Sequence, residues 1–305
     1  MVENIVRALR AVAPERVLTN EPMDRHISFR AGGPADVFFL PAGAQELVLA
    51  LEAGKNENVP TYVIGAGSNL VAPSAGVRGL VIALGENFSD IERDGNVIRA
   101  QAGARLSRIA QDAMHAGLTG LEFASGIPGS IGGGAAMNAG AYGGELSQCI
   151  TRVEVLIDGK IETISAAEMG FGYRTSMMLQ RGAVVLQVEM TLAPDKKELI
   201  AERMRDLNAR RRDKQPLEFP SAGSTFKRPE GYFAGALIEE AQLKGVSVGG
   251  AQVSEKHAGF IINRGGATGD DILNLIALVQ KRVFENSGVR LEREVRVLGE
   301  WEDRA

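Results

Sequence analysis

The sequence has one cysteine, Cys149, three histidines and only 5% aromatic residues among its 305 positions. A single thiol cannot close an intrachain disulfide, and His26, His115 and His257 are too scattered to give zinc-site spacing with Cys149. No metal is expected. Charge of neither sign dominates: 34 Lys and Arg against 38 Asp and Glu leave a net charge of −4. That balance offers no global field for a nucleic-acid backbone, so no nucleic-acid partner is expected. No apolar run approaches the ~20 residues of a membrane span. The opening MVENIVRALR carries Glu3 and then mixes apolar with basic residues, unlike a secretory signal. These absences exclude disulfide-rich, zinc-binding, nucleic-acid-binding and membrane-inserted classes, and the expectation is a cytoplasmic, monomeric chain. What is abundant is glycine. The 37 glycines make up about 12% of the chain against a usual ~7%.

Length predicts two domains at roughly 150 residues each. Apolar residues at Ile5, Val6, Leu9 and Val12 predict a packed amphipathic helix within Val2 to Leu18. Ala35 to Leu40, Gln45 to Glu52 and Thr61 to Ile64 then read as strand, helix and strand, a βαβ pattern. Further strands are predicted at Val77 to Leu84 and, after the turn Asp94-Gly95-Asn96, at Val97 to Ala102. A helix from Leu106 to Ala116 ends at Gly117. Val153 to Ile157 and Lys160 to Ile164 form a hairpin across Asp158-Gly159, and Ala183 to Leu192 is another strand. Helices at Lys197 to Arg212, Tyr232 to Gln242 and Ile272 to Ser287, with strands at Gly259 to Asn263 and Glu294 to Leu298, describe an α+β second half. The division expected is residues 1–196 and 197–305, with the last strand packing back on the first domain.

Six segments have chemical potential. Gly65-Ala66-Gly67-Ser68-Asn69 follows a strand, and its unshielded amides could meet phosphate oxygens. Leu70 occupies the third glycine of a dinucleotide fingerprint, so a plain strand-end turn remains the alternative. From Gly117 to Glu145 there are ten glycines in 29 residues, a density read as an irregular binding loop with no packed helix. Ser224, within Gly223-Ser224-Thr225-Phe226-Lys227-Arg228, is open to two readings, a presented hydroxyl or an ordinary turn serine. Arg174 beside Tyr173 is either an anion fork or a surface arginine stacked on the ring. Glu294 sits in the alternating run Glu292-Arg293-Glu294-Val295-Arg296, whose simplest form is a solvated strand face. The cluster Arg210, Arg211, Arg212 and Lys214 either binds an anion or forms a solvated helix face with Glu202, Asp206 and Asp213.

The order of Ser28-Phe29-Arg30-Ala31-Gly32-Gly33-Pro34-Ala35-Asp36, the Gly65 to Asn69 turn, the Gly126 to Gly143 loops, Gly172-Tyr173-Arg174, Gly223-Ser224 and Glu294-Val295-Arg296 resembles the UDP-N-acetylenolpyruvoylglucosamine reductase family over nearly the whole chain. The resemblance implies an α+β fold: a two-lobed FAD-binding domain of the vanillyl-alcohol-oxidase (PCMH) type, followed by a C-terminal α+β substrate domain. It implies noncovalent FAD, NADPH as reductant, and a UDP-sugar as the small-molecule partner. Cofactor-binding residues would be Gly65, Ala66, Gly67, Ser68 and Asn69 in the first loop, and Ser125, Gly126, Pro128, Gly129, Ser130, Gly132, Gly133, Asn138 and Gly140 in the second. Substrate contacts would come from Tyr173, Arg210, Lys214, Arg228 and His257. In the family's reaction a hydride passes from flavin to C3 of the enolpyruvyl group. Arg174 and Glu294 would then stabilise the resulting enolate, and Ser224 would protonate C2. The short Gly172 to Val184 stretch implies the type without a tyrosine-bearing loop, Tyr173 being no substitute for it. Two alternatives stay open: another flavin oxidase or dehydrogenase of the same FAD fold, and a non-enzymatic nucleotide-binding module.

Overall fold

The computed structural model describes residues 1–301. Its first sheet is built from strands with apolar side chains on both faces. Val37 and Phe39 alternate with Phe38, and Leu80 and Ile82 with Val81 and Ala83, so the period of two sends successive residues into two different cores. Strand order in this sheet is Val17–Pro22, Pro34–Phe39, Val77–Ala83, Thr61–Ile64. The expected βαβ unit forms with helix Ala44–Asn56, but strand Val77–Ala83 inserts between its two strands and runs parallel to both. The opening helix is shorter than the periodicity predicts. It ends at Arg10, and Val17 begins a strand antiparallel to Pro34–Phe39. Pro14 starts a tight 3₁₀ turn in between, a position where proline's missing N–H costs nothing.

The second sheet is antiparallel, in the order Lys160–Ser165, Ile150–Ile157, Val184–Thr191, Val97–Gln101, Ile91–Asp94. One core joins this sheet to the first through Ile98, Val153, Val188 and helix Leu106–His115. Ile200 and Met204 of helix Lys197–Lys214 enter the same core. A second core packs the opposite face of the first sheet against Leu237, Ile238, Ile272, Ile276 and Val279 of the C-terminal helices. Helix Gly269–Ser287 opens with a capping box between Thr268 and Asp271 and closes on Gly288 in the left-handed conformation. Strand Arg296–Val297 pairs in parallel with Leu70–Val71, directly after the Gly65 to Asn69 turn.

The glycine-rich segment departs from the expected irregular loop, because Ile131–Ala136 within it is a helix. Three glycines in six residues oppose helicity by about 1 kcal/mol each, and packing offsets that cost. A Cβ on Gly132 would stand 2.7 Å from the Ala102 Cβ, so only glycine lets the helix lie against the chain leaving strand Val97–Gln101. Ile131 and Ala135 are fully buried beneath it.

Candidate active site

A cleft of about 1980 Å³ lies between the two glycine-rich loops, helix Lys197–Lys214, the Ser221 to Ser224 loop and the Arg290 to Leu298 segment. Among the described residues its wall carries seven cations, Arg174, Arg211, Arg212, Lys214, Arg290, Arg293 and Arg296, against Glu292 and Glu294. A chain of net charge −4 thus concentrates positive charge in this cleft, which favours polyanionic ligands.

Ser224, Arg174 and Glu294 all line this cleft. Glu294 belongs to no solvated strand face: its side chain is 12% exposed and accepts a hydrogen bond from Arg174 Nε at 2.9 Å. Burial pushes the Glu294 carboxyl above its ordinary range, with Arg174 and Lys227 pulling the other way. Its backbone is held twice. Asn69 Nδ2 donates to the Glu294 carbonyl at 2.9 Å, and the Glu294 N–H donates to the Thr225 carbonyl at 2.9 Å. Thr225 is fully buried; its N–H donates to the Gly259 carbonyl and its Oγ1 accepts from the Ile261 N–H. The loop that presents the exposed Ser224 is therefore tied to the irregular segment that presents Glu294, just ahead of strand Arg296–Val297.

Arg174 adopts φ +55, a left-handed conformation that costs a non-glycine residue about 1–2 kcal/mol. Its guanidinium also donates to the Gly140 carbonyl at 3.1 Å and lies 5.1 Å from the Tyr173 ring centroid. The tyrosine ring lies against the guanidinium while Nε bonds the Glu294 carboxylate. Tyr173 itself stands off the cleft wall, 54% exposed, its hydroxyl accepting the Arg228 N–H. Between Gly172 and Val184 there is one short helix, Met177–Arg181, and no inserted loop.

The two glycine-rich loops face each other across the cleft floor. A Cβ on Gly65 would strike Ser130 Oγ at 2.2 Å, and one on Gly67, at φ +65, would meet the His26 carbonyl oxygen at 1.9 Å. Gly126 is held open by helix Lys197–Lys214: a Cβ there would sit 2.3 Å from Asn208 Oδ1. The Gly126 carbonyl accepts a hydrogen bond from Arg211. Ser130 Oγ is buried on this floor and has no protein partner. That orphaned hydroxyl, the opposed amide-rich turns and the cationic wall fit a dinucleotide carrying a pyrophosphate.

Of the residues the sequence singles out, Gly65, Ala66, Gly67, Ser68, Asn69, Gly126, Pro128, Gly129, Ser130, Gly132, Gly133, Gly140, Lys214 and His257 line the cleft. Five others do not. Ser125 is occupied with the Glu122 carbonyl and Asn208, and Asn138 lies buried behind the wall. Tyr173 sits at the rim, Arg210 pairs with Asp206 at 2.8 Å on the exposed face of its helix, and Arg228 stacks on Phe233. Arg211 is what the sequence reading under-weighted. It is 7% exposed, and burial lowers its affinity for its proton. The signal was there in the spacing: Asn208, Arg211 and Lys214 are three apart and share a helix face, with Arg210 rotated off it. Arg203, on the same helix, pins it through Glu122 at 2.8 Å and Asp195 at 2.6 Å.

His257 is half-buried, accepts the Gly259 N–H on Nδ1, and is held below the usual histidine range by burial. Cys149 is buried away from the cleft, and burial pushes its thiol up to about 12. Titration of the native protein with a disulfide reagent at pH 8 is expected to consume essentially no thiol, and one equivalent after unfolding. A fast native reaction would contradict this burial.

Residues 35–165 match the family model described as FAD binding domain. With the cleft's opposed turns and the C-terminal half closing one side, this defines a two-domain flavoprotein. Residues 215–298 match the family model for the C-terminal domain of UDP-N-acetylenolpyruvoylglucosamine reductase. A protein of that name from Clostridium botulinum is 49% identical over 290 residues, 95% of this chain and 94% of the relative. Another, from Caldanaerobacter subterraneus, is 48% identical over 302 residues, 98% of this chain and 100% of the relative. The crystal structure of UDP-N-acetylenolpyruvylglucosamine reductase from Thermus caldophilus aligns with a TM-score of 0.78 at 36% identity, covering 92% of this chain and 97% of that one. The chain belongs to the UDP-N-acetylenolpyruvoylglucosamine reductase family.

Proposed function

We propose that this chain is an NADPH-driven, FAD-dependent reductase of UDP-N-acetylglucosamine enolpyruvate, forming UDP-N-acetylmuramate for peptidoglycan synthesis, with Ser224, Arg174 and Glu294 as its catalytic residues. When bound and reduced by NADPH, FAD would supply a hydride to C3 of the enolpyruvyl double bond. The residues lining the two glycine-rich turns, with Ser130 Oγ among them, would hold it noncovalently. Negative charge then develops at C2 and in the substrate carboxylate. Arg174 meets that charge with a charge-assisted hydrogen bond, and Glu294, in its protonated form, donates another. Ser224 delivers a proton to C2. A serine hydroxyl is a weak acid, so it serves only when held at short range against a basic carbon. Thr225, anchored to Gly259, Ile261 and Glu294, supplies that rigidity.

The observation that carries this reading is the partly buried Arg174–Glu294 pair, backbone-linked through Thr225 to Ser224. An oxidase of the same FAD fold would have no need of a proton donor lining the same cleft as an acid–guanidinium pair. The deciding experiment is a flavin absorbance trace: NADPH bleaches the yellow protein, and the enolpyruvyl substrate restores the colour faster than oxygen does. Recolouring by oxygen or an alcohol at equal speed would overturn the assignment.

Diphosphate recognition is assigned to Arg211 and Lys214, which face the cleft on one side of their helix. Because charge steers association, kcat/KM for the UDP-sugar is expected to fall about three- to tenfold as salt rises from about 50 mM to about 500 mM, with kcat nearly unchanged. A salt-independent kcat/KM would refute the steering role. A cytoplasmic monomer is part of the same proposal, since NADPH and nucleotide sugars are made in the cytoplasm; light scattering tests the monomer. Among the described residues no helix is long and apolar enough to cross a membrane.

A further inference from the structure

Arg174 works from a strained turn, and something must hold that turn. Gly172 and Thr175 exchange backbone hydrogen bonds at 3.1 and 3.4 Å, which leaves Tyr173 and Arg174 at the tip. Two such bonds close the loop without fixing where it points. The direction comes from the segment that follows helix Ile131–Ala136. Ser176 Oγ donates to the Ala136 carbonyl at 2.6 Å, and the Arg174 guanidinium donates to the Gly140 carbonyl at 3.1 Å. Between those two points lies Asn138. Its side chain is 1% exposed and absent from the cleft wall.

We propose that Asn138 is a positioning residue for Arg174, its buried amide fixing the 171–176 turn so that the guanidinium meets Glu294 and the substrate carboxylate. The proposal rests on the role given above to Arg174. Asn138 Oδ1 accepts the Ser147 N–H at 2.9 Å, and Nδ2 donates to the Gly172 carbonyl at 3.3 Å. A backbone donor at one end and a backbone acceptor at the other leave one orientation for the amide. Asparagine is the side chain that serves here. Asn138 sits at φ +45, a conformation asparagine tolerates better than most residues. Aspartate would keep the acceptor for Ser147 but lose the donor to Gly172, and glycine would keep the backbone but lose both. The peptide that leaves the second cofactor loop therefore also carries the frame of the substrate-polarising arginine.

The test separates the two half-reactions in stopped flow on FAD-loaded protein. Asn138→Gly suits the positive φ and removes both hydrogen bonds; Asn138→Asp retains the Ser147 contact but replaces the donor to Gly172 with a carboxylate oxygen that repels its carbonyl. Both variants are expected to keep FAD and to be bleached by NADPH within about twofold of the parent rate. Recolouring by the enolpyruvyl substrate is expected to slow about tenfold, the effect of one lost buried hydrogen bond. In an Arg174→Ala background, Asn138→Gly is expected to add less than about twofold, because the residue it positions is gone. Loss of FAD in both variants, an equal slowing of both half-reactions, or full additivity with Arg174→Ala would each overturn the proposal. If Arg174→Ala alone recolours at the parent rate, the role of Arg174 fails. If it slows recolouring while Asn138→Gly does not, the positioning proposal alone fails.

Discussion

Ser224→Ala is expected to be bleached by NADPH at the parent rate and then to recolour with the enolpyruvyl substrate about 10³- to 10⁴-fold more slowly, the range that general acid catalysis supplies. The separation follows from geometry. Ser224 is exposed into the cleft at the tip of its loop, and the bonds that hold the loop belong to Thr225, so deleting the hydroxyl removes no structural contact. Reduction of the cofactor by NADPH requires no proton from Ser224. Recolouring does, because hydride addition at C3 without protonation at C2 leaves a high-energy enolate that returns its hydride. Ser224→Cys tests the same point from the other side: a thiol is the stronger acid but longer and bulkier, and partial recovery above alanine is expected. An alanine variant that recolours within tenfold of the parent would remove Ser224 from the chemistry and make it the turn serine that its Gly and Pro neighbours alone imply.

How far the sequence carried this account varies with the distance over which each feature is encoded. Strand Pro34–Phe39 is legible from its local run of apolar residues and helix Lys197–Lys214 from its local run of charged helix formers, and the hairpin across Asp158-Gly159 is written in two residues. Glu294 was not legible from its surroundings. An alternating charged run describes a wet strand face, and the partner that changes its meaning, Arg174, lies 120 residues away. Only the family resemblance joined them. Asn69 and Asn138 show a different limit. Both sit inside cofactor motifs, yet Asn69, on the cleft wall, turns its Nδ2 to the Glu294 carbonyl, and the Asn138 amide, off the wall, is held by Gly172 and Ser147. Motif membership located the loops but could not say which way a side chain turns.

The glycine excess needs the same correction. Composition and loop length point to backbone exposed for a ligand, and Gly65, Gly67, Gly126 and Gly132 do line the cleft. The missing Cβ atoms, however, point into protein: toward Ser130, the His26 carbonyl, Asn208 and Ala102 respectively. These glycines let one loop rest on another and bring the backbone of both loops to the cleft wall. Substituting them is thus a packing defect first and a loss of phosphate contact second.

Recolouring is expected to depend on pH through Glu294. Burial raises its carboxyl above the ordinary range, and Arg174 opposes that rise. As the hydrogen-bond donor to the enolate it must be protonated, so recolouring is fastest below its pKa and falls as pH rises through it. Glu294→Gln carries an amide donor that does not titrate. Its recolouring is expected to lose the alkaline fall, within about tenfold of the parent rate on the acid side, whereas Glu294→Ala loses about 10²- to 10³-fold, the worth of one enolate donor. Arg174→Ala distinguishes stabilisation from mere pairing. It removes a comparable share of the rate, and by deleting the cation that opposes the rise it moves the alkaline fall of Glu294 to higher pH. Stopped-flow recolouring from pH 5.5 to 9.5 in the three variants measures both effects. A fall that persists unchanged in Glu294→Gln, or that moves to lower pH in Arg174→Ala, would take the proton donor's role away from Glu294 and leave the pair a buried structural salt bridge.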